Sequence, residues 1–531
     1  TDSNEGEAIG GGLSKLFDNG RRPNLLLIIT DQERAQQHWP ASFEEEYLPN
    51  LKRLKRHGVS FEQHYTNTCC CSPSRATLLT SLFPDVHGVK RTGSPGPPTA
   101  LPVDIANLAT VLKDECKYKH VEWHGKWHVG NTPAEYGFEG WQPPDAGNYL
   151  TINETLGGGE PDNDGRFLKE ACRFLKRRAT AAAAEASPSA PPTAEAEPGN
   201  TEGDDSSASD PFCLVVSFVN PHDVYVAQHT VPALGYTEED FGRVLVPLPS
   251  NLAEDTDMNN KPRCQGQMSI RYVPFENHPQ DYVNFYAHLH SLVDGQIGIL
   301  LDTLDELGLT ESTLILRTAD HGEQALSHSL VEKFFNVYQE SIHIPFVVSN
   351  PVAFPRPKTT QALSSHIDII PTIATLLGVK QEVLKSLKGK DLSPILNESR
   401  RGDTDGEEPS TYTNSDGKDL SCGGVQSKIH FTYDDIACPG APSTIRCIRQ
   451  QRMKYAVYFT PDGSDADWEL YDLAVDPLEN NNVAGSPEYA EIQKEMEAEL
   501  HQSMLECDTL PKSFNWPPSS TRHSRGIHPD V

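Results

Sequence analysis

Four short runs of aliphatic and β-branched residues punctuate an otherwise polar chain: LLLIIT at 25–30, CLVVSFV at 213–219, TLILRT at 313–318 and PFVVS at 345–349. Their apolar positions are consecutive, not alternating, which is the pattern of strands buried on both faces of a parallel sheet. Between them lie segments with apolar residues at helical spacing, the longest being NFYAHLHSLVDGQIGILLDTLDELG from Asn284 to Gly308. Strands alternating with helices predict an α/β architecture, a large and mostly parallel central sheet flanked by helices.

Polar stretches divide this pattern. Residues 179–210 are rich in Ala, Pro, Glu and Ser and lack aromatic side chains, and RRGDTDGEEPSTYTNSDGKD from Arg400 to Asp419 is similar. Both read as exposed, disordered insertions. The expected organisation is a flexible tail over 1–20 and a main domain over 21–380 carrying the first insertion. A smaller C-terminal α+β subdomain follows over 381–531, with the second insertion and an extended tail.

The residues that end the apolar runs carry chemistry. LLLII leads into Thr30-Asp31-Gln32, LVVSFV into Asn220-Pro221-His222-Asp223, and LILRTA into Asp320-His321-Gly322. Ligands of open α/β sheets gather beyond the carboxyl ends of the strands, so the three clusters converge on one site. Carboxylates and an amide with a single imidazole suit a hard divalent ion such as calcium, magnesium or manganese. The plainer account of any one Asp is a loop cap. Two pairs at matching strand ends favour the metal.

Composition narrows the classes. The 531 residues exceed one ordinary domain, and 37% hydrophobic residues still provide a sizeable core. A net charge of −30 argues against nonspecific nucleic-acid binding, which needs a basic face. No run approaches 18 apolar residues, and TDSNEGEAIGGG lacks a basic start and an apolar stretch. The expectation is a soluble protein or a trimmed mature form, without a membrane span. Eleven cysteines show no C-x-x-C pair that would indicate structural zinc, and two sequons, at Asn153 and Asn397, are weak support for secretion.

Two further clusters stand out. In CCCSPSRATLLTS, residues 69–81, Ser72 reads as a helix N-cap and Pro73 as the first helical residue, with Leu78, Leu79 and Leu82 on one face. Cys71 then sits at the positive end of a helix, with Arg75 about one turn on. Simple packing in a turn accounts for Cys69 and Cys70 better than for Cys71. HVEWHGKWHVG, residues 120–130, carries His120, His124, Lys126 and His128 and reads as a strand with polar groups turned to a pocket, where a lysine can hold an oxyanion and a histidine can move a proton. A surface loop would explain His120. Lys333, taken alone, reads as a surface lysine.

Together these residues resemble the type I sulfatases of the alkaline phosphatase superfamily. The family signature Cys-x-Pro-Ser-Arg with a Leu-Thr-Gly ending reads here Cys71-Ser72-Pro73-Ser74-Arg75 through Leu79-Thr80-Ser81, with Ser81 in place of the final Gly. GKWHVG at 125–130, Pro221-His222, DHGE at 320–323, Lys333 and IPFVV follow in family order. HIDIIPTIATLLG at 366–378 and WELYDLAVDPLENNN at 468–482 look like the closing helix and C-terminal subdomain.

The resemblance implies hydrolysis of a sulfate ester of a sulfated carbohydrate, aryl or alkyl alcohol. It implies that a formylglycine-generating enzyme oxidises Cys71 to formylglycine, whose hydrate attacks sulfur with one hydroxyl and releases sulfate through the other. It further implies one divalent cation, calcium before manganese or magnesium, on Asp31, Gln32, Asp320 and His321. Arg75, Lys126 and Lys333 would hold formylglycine and sulfate oxygens, His128 would act as base, and His222 as acid or hydrogen-bond donor at the leaving group. Many relatives carry Asp at the Gln32 position and Asn at the His321 position, which leaves the metal less determined than its site.

Three rivals differ in chemistry. Cys69 and Arg75 have the spacing of the cysteine-phosphatase loop, but Thr68 precedes them, no Gly lies between, and the metal set goes unexplained. The phosphonate monoester hydrolase and phosphodiesterase branch shares the Asp-Gln and Asp-His pairs. A binding protein without turnover would lack a catalytic position, and none is missing. Formylglycine maturation points to a secreted, secretory-pathway or lysosome-like setting, with the cytoplasm as the alternative.

Overall fold

In the computed structural model of the chain, residues 22–511 are described apart from 37, 93–99, 146–162, 187–209, 225–235, 255–259, 270–277, 399–411, 414–418, 421–423 and 436–437. The four apolar runs form strands β1 (Asn24–Asp31), β4 (Phe212–Pro221), β5 (Thr313–Ala319) and β6 (Phe346–Ser349). With β2 (Gly58–Phe61), β3 (His120–Gly125) and β7 (Lys358–Thr360) they make a seven-stranded sheet of order β3-β4-β1-β5-β6-β2-β7. β3, β4, β1 and β5 run parallel, and β6 is antiparallel to both of its neighbours.

The consecutive apolar pattern has its cause in the layers. Leu25, Leu27 and Ile29 of β1 face one core, shared with Leu78, Leu79, Trp123, Trp127 and Ile369. Leu26 and Ile28 face the other, shared with Phe174, Leu175 and Val293. The covering helices are α1 (Pro49–Arg56), α2 (Cys71–Thr80), α3 (Asn163–Ala186), α4 (Pro279–Glu306) and α5 (Ile369–Leu376). α4 starts five residues before the predicted Asn284, with Pro279 in its first turn, where the missing N–H is harmless.

Three expectations are corrected. α3 continues to Ala186, eight residues into the stretch read as disordered from 179, because alanine is the best helix former; residues 187–209 lie outside the described residues. Within 400–419, two-residue strands Tyr412–Thr413 and Asp419–Leu420 pair antiparallel, and 400–411 and 414–418 lie outside the described residues. The HVEWHGKWHVG strand ends at Gly125, and Lys126, Trp127 and His128 follow it outside the sheet.

The C-terminal part is an antiparallel sheet of β8 (Lys428–Tyr433), β9 (Thr444–Gln450), β10 (Met453–Phe459) and β11 (Ala466–Asp472), with α6 (Ala490–Glu506) packed on it. Its other face shares an apolar cluster with Tyr65, Cys69 and Cys70, so this sheet lies directly against the chain that leads into α2.

Candidate active site

Most of the sequence-predicted groups lie at or just beyond a strand or helix end, and Lys333 comes from the loop after β5. β1 shifts register against β4 between Ile29 and Asp31, leaving Asp31 at its carboxyl end and Gln32 at φ 65. β5 ends one residue before Asp320. At the end of β3, Gly125 has φ +118, and a Cβ there would stand 2.0 Å from the Ser217 carbonyl oxygen, so only glycine permits the turn that carries Lys126 inward.

α2 begins two residues earlier than predicted. Cys70 is its N-cap and Cys71 its first residue, and the N-cap side chain makes no capping hydrogen bond. Leu82 lies beyond the helix and is half-buried, because Ser81 ends α2 in the left-handed region at φ 57. Cys71 Sγ lies 3.2 Å from His321 Nε2 and 3.7 Å from Asp31 Oδ1.

One guanidinium organises the carboxylates. Arg75, 1% exposed, donates from Nη2 to Asp31 Oδ2 at 2.9 Å and from Nε to Asp320 Oδ2 at 2.9 Å. Its Nη1 donates to Ser217 Oγ at 2.7 Å and to the Lys126 carbonyl at 2.9 Å. Lys126 Nζ pairs with Asp31 at 2.6 Å. Burial pushes Asp31 up, but Lys126, His222 and Arg75 outweigh it and hold the carboxyl well below its usual range. Asp320 is raised by burial and then by Asp31 itself.

Lys333 is buried, not on the surface. Its Nζ donates to Gln32 Oε1 at 2.7 Å and to Glu332 Oε2 at 2.9 Å. Burial alone would lower the ammonium, and Glu332 leads the charges that hold it well above its ordinary value. Gln32 is further tied by its backbone N–H to Asp320 Oδ1 at 3.0 Å, by its amide nitrogen to Glu323, and by its carbonyl to the Tyr286 hydroxyl at 2.6 Å. His128 and His222 both sit well below the ordinary histidine value, through burial first and the Lys126 charge next, and are neutral near pH 7.

The residues fit a cation. Single ligand atoms of Asp31, Cys71, Asp320 and His321, all buried, lie within 4.8 Å of one another. His321 Nδ1 donates to the Gly322 carbonyl at 3.0 Å, which leaves the Nε2 lone pair facing the cluster. Two carboxylates and an imidazole suit a hard or borderline divalent ion, and the repulsion that raises Asp320 is of the kind a cation relieves. A thiol suits the group less: burial, and then Asp31, push Cys71 up to about 12, so it is protonated near neutral pH.

Sequence reasoning missed the supports. Asp145 accepts from the backbone N–H groups of Trp127 and His128 at 2.8 Å each, and no motif marks it. Glu323 accepts from Tyr282 Oη at 2.9 Å and Glu332 N at 2.8 Å; it stands inside the quoted DHGE, and Glu332 stands beside Lys333. Ser217 occupies an alternate position of an apolar strand, where its hydroxyl was the available signal.

Comparison with known proteins places this geometry. The sulfatase family model matches residues 23–379, and that of the N-sulphoglucosamine sulphohydrolase C-terminal region matches 418–506. An ulvan-active sulfatase of Formosa agariphila is 26% identical over 511 residues, covering 94% of this chain and 84% of the relative. A protein solved in complex with its substrate D-glucosamine-2-N,6-O-disulfate superposes with TM-score 0.68 at 20% identity, covering 92% of this chain and 99% of that one. A phosphonate monoester hydrolase from Silicibacter pomeroyi gives TM-score 0.65 at 21% identity, covering 93% and 96%. With a family match over two thirds of its length and the Cys71 helix seated among the strand-end carboxylates, the chain belongs to the sulfatase family of the alkaline phosphatase superfamily and is a sulfuric ester hydrolase.

Proposed function

We propose that this protein removes sulfate from a sulfated saccharide at the site around residue 71. The observation that carries the reading is Cys71 at the first position of α2, 3.2 Å from His321 Nε2 and beside Asp31, with Arg75, Lys126 and Lys333 buried around it. The saccharide rests on the ulvan-active relative and on the C-terminal match to the sulphoglucosamine enzymes.

Oxidation of Cys71 to formylglycine by a formylglycine-generating enzyme would supply a hydrated aldehyde in place of a thiol that this environment keeps protonated. A divalent cation held by Asp31, Asp320 and His321, with Gln32 at its edge, would supply Lewis-acid polarisation; the donor set favours calcium, with manganese or magnesium as alternatives. Arg75 keeps both aspartates fixed, so the cluster needs no reorganisation when charge develops. Lys126 and Lys333 offer ammonium groups to sulfate oxygens, and Lys333, held cationic by Glu332, can stabilise the departing alkoxide. Neutral His128 serves as proton acceptor at the residue-71 hydroxyls. Neutral His222 serves as hydrogen-bond donor at the leaving oxygen.

The test takes protein produced with a maturation enzyme and measures the mass of the tryptic peptide His57–Arg75. Sulfate release from N-acetylglucosamine 6-sulfate is then compared with turnover of an aryl sulfate and an aryl phosphodiester. An aldehyde or hydrate at residue 71 and preferred release from the sugar sulfate are expected. Preference for the phosphodiester would move the protein to the phosphonate hydrolase branch, whose fold it shares. An unmodified thiol in active protein would overturn the formylglycine step.

A further inference from the structure

We infer that Asp435, two residues beyond the first strand of the C-terminal sheet, is a positioning residue for the reaction at residue 71, acting through Thr92 to fix the peptide group that follows the nucleophile. The inference rests on the reading of residue 71 given above.

The C-terminal sheet is joined to the nucleophile segment by backbone. Thr432 of β8 bridges Thr68, its N–H donating to the Asn67 carbonyl at 2.9 Å, and Asn67 Nδ2 donates to the His430 carbonyl at 2.9 Å. β8 thus runs alongside residues 67–68, three positions before Cys71. Two residues past its end, Asp435 turns in and is 2% exposed.

Its carboxylate reaches the residue that follows position 71 through Thr92. The Thr92 backbone N–H is shared between Oδ1 at 3.1 Å and Oδ2 at 3.0 Å. Thr92 Oγ1 in turn accepts from Ser72 N at 3.3 Å. That N–H belongs to the first turn of α2, which has no intrahelical partner for it and no side-chain N-cap. Residue 72 is therefore tied through Thr92 to one buried carboxylate, and the Cys71 side chain beside it is aimed at His321 and Asp31. A buried carboxylate with two coupled contacts holds such geometry more firmly than solvent would, and small misplacements of a reacting group are expensive in rate.

The test uses full-length matured protein carrying Asp435→Ala, Thr92→Val, both together, or the conservative Thr92→Ser. Hydrogen–deuterium exchange at the Ser72 amide is read first, because it does not depend on turnover. Asp435→Ala and Thr92→Val are each expected to speed that exchange about tenfold, with the double variant no faster than either, while Thr92→Ser keeps the parent rate. Turnover of 4-nitrophenyl sulfate, normalised to the aldehyde content of residue 71, is expected to show kcat about tenfold lower in the same variants with KM within about twofold. Unchanged Ser72 exchange in both single variants, or losses that multiply in the double variant, would overturn the inference. A thiol at residue 71 and no sulfate release from the unsubstituted protein would instead strike at the sulfatase reading, and the exchange data would still decide the role of Asp435.

Discussion

At the scale of single residues, the site is a set of charges that must be mutually satisfied out of water. Arg75, Lys126 and Lys333 face Asp31, Asp320 and Glu332, and Glu323 anchors the loop between them through four donors: Tyr282, Ala325 N, Glu332 N and the Gln32 amide. Glu323→Gln would replace an acceptor oxygen with a donor that faces other donors. The expected cost is about 1–3 kcal/mol, read as a lower urea midpoint, together with weaker binding of added calcium in a titration calorimeter. Lys333→Ala would remove the ammonium and leave Glu332 buried without its partner. Sulfate release per aldehyde is expected to fall by about 10²-fold or more, and Lys333→Arg, whose rigid fork cannot reproduce the contact to Gln32 Oε1, to recover little of it. A parent-like kcat in Lys333→Ala would remove Lys333 from the reaction.

At the scale of elements, the departure from the family signature acquires a physical meaning. α2 ends at Ser81 in the left-handed region, where the signature has glycine and where a Cβ carries a penalty. The serine hydroxyl compensates by donating to the Ile367 carbonyl and accepting from Gly389 N at 3.3 Å, which ties the end of α2 to the segments on both sides of α5. Ser81→Ala loses both bonds and keeps the Cβ, whereas Ser81→Gly loses the bonds but sheds the penalty. Urea denaturation should therefore rank parent above Gly and Gly above Ala, the two variants separated by about 1 kcal/mol. An Ala variant as stable as Gly would show that the hydroxyl, not the backbone, determines this helix end.

At the scale of the whole molecule, burial sets a pH limit. His87, His290, His366 and His430 lie in different parts of the structure, and burial holds each of them down to about 3. Their unfolded value is about 6.5, so the unfolded chain takes up protons that the folded one refuses. Their contribution is fully present above about pH 6.5 and is lost as pH falls towards 3, at up to about 1.4 kcal/mol per pH unit for each ring. The thermal midpoint is expected to drop steadily from pH 7 to pH 5, and substituting His87 by Gln to flatten that slope. A midpoint that rises on acidification would contradict the assignment and would favour an acidic, lysosome-like setting over a near-neutral one.

What the sequence determined by itself is the part written in local pattern and ordered motifs. The four consecutive apolar runs specified strands covered on both faces, because a strand with helices on either side has no polar face to offer. The residues that end those runs specified groups that meet at the candidate site, since parallel strands deliver their carboxyl ends to one edge of a sheet. Tertiary structure alone decided which groups support them. Asp145, Ser217, Glu323 and Asp435 take their roles from partners up to 343 positions away, as in the Trp127 and Thr92 contacts. Lys333 read as a surface lysine because its partners Gln32 and Glu332 are assembled only by the loop after β5. The first turn of α2 likewise escaped local rules: Ser72 looked like a cap, but the helix starts at Cys71 because Cys70, packed against the C-terminal sheet, takes the cap position. Hydrophobic periodicity is a property of neighbours in sequence, whereas the satisfaction of a buried charge depends on neighbours in space.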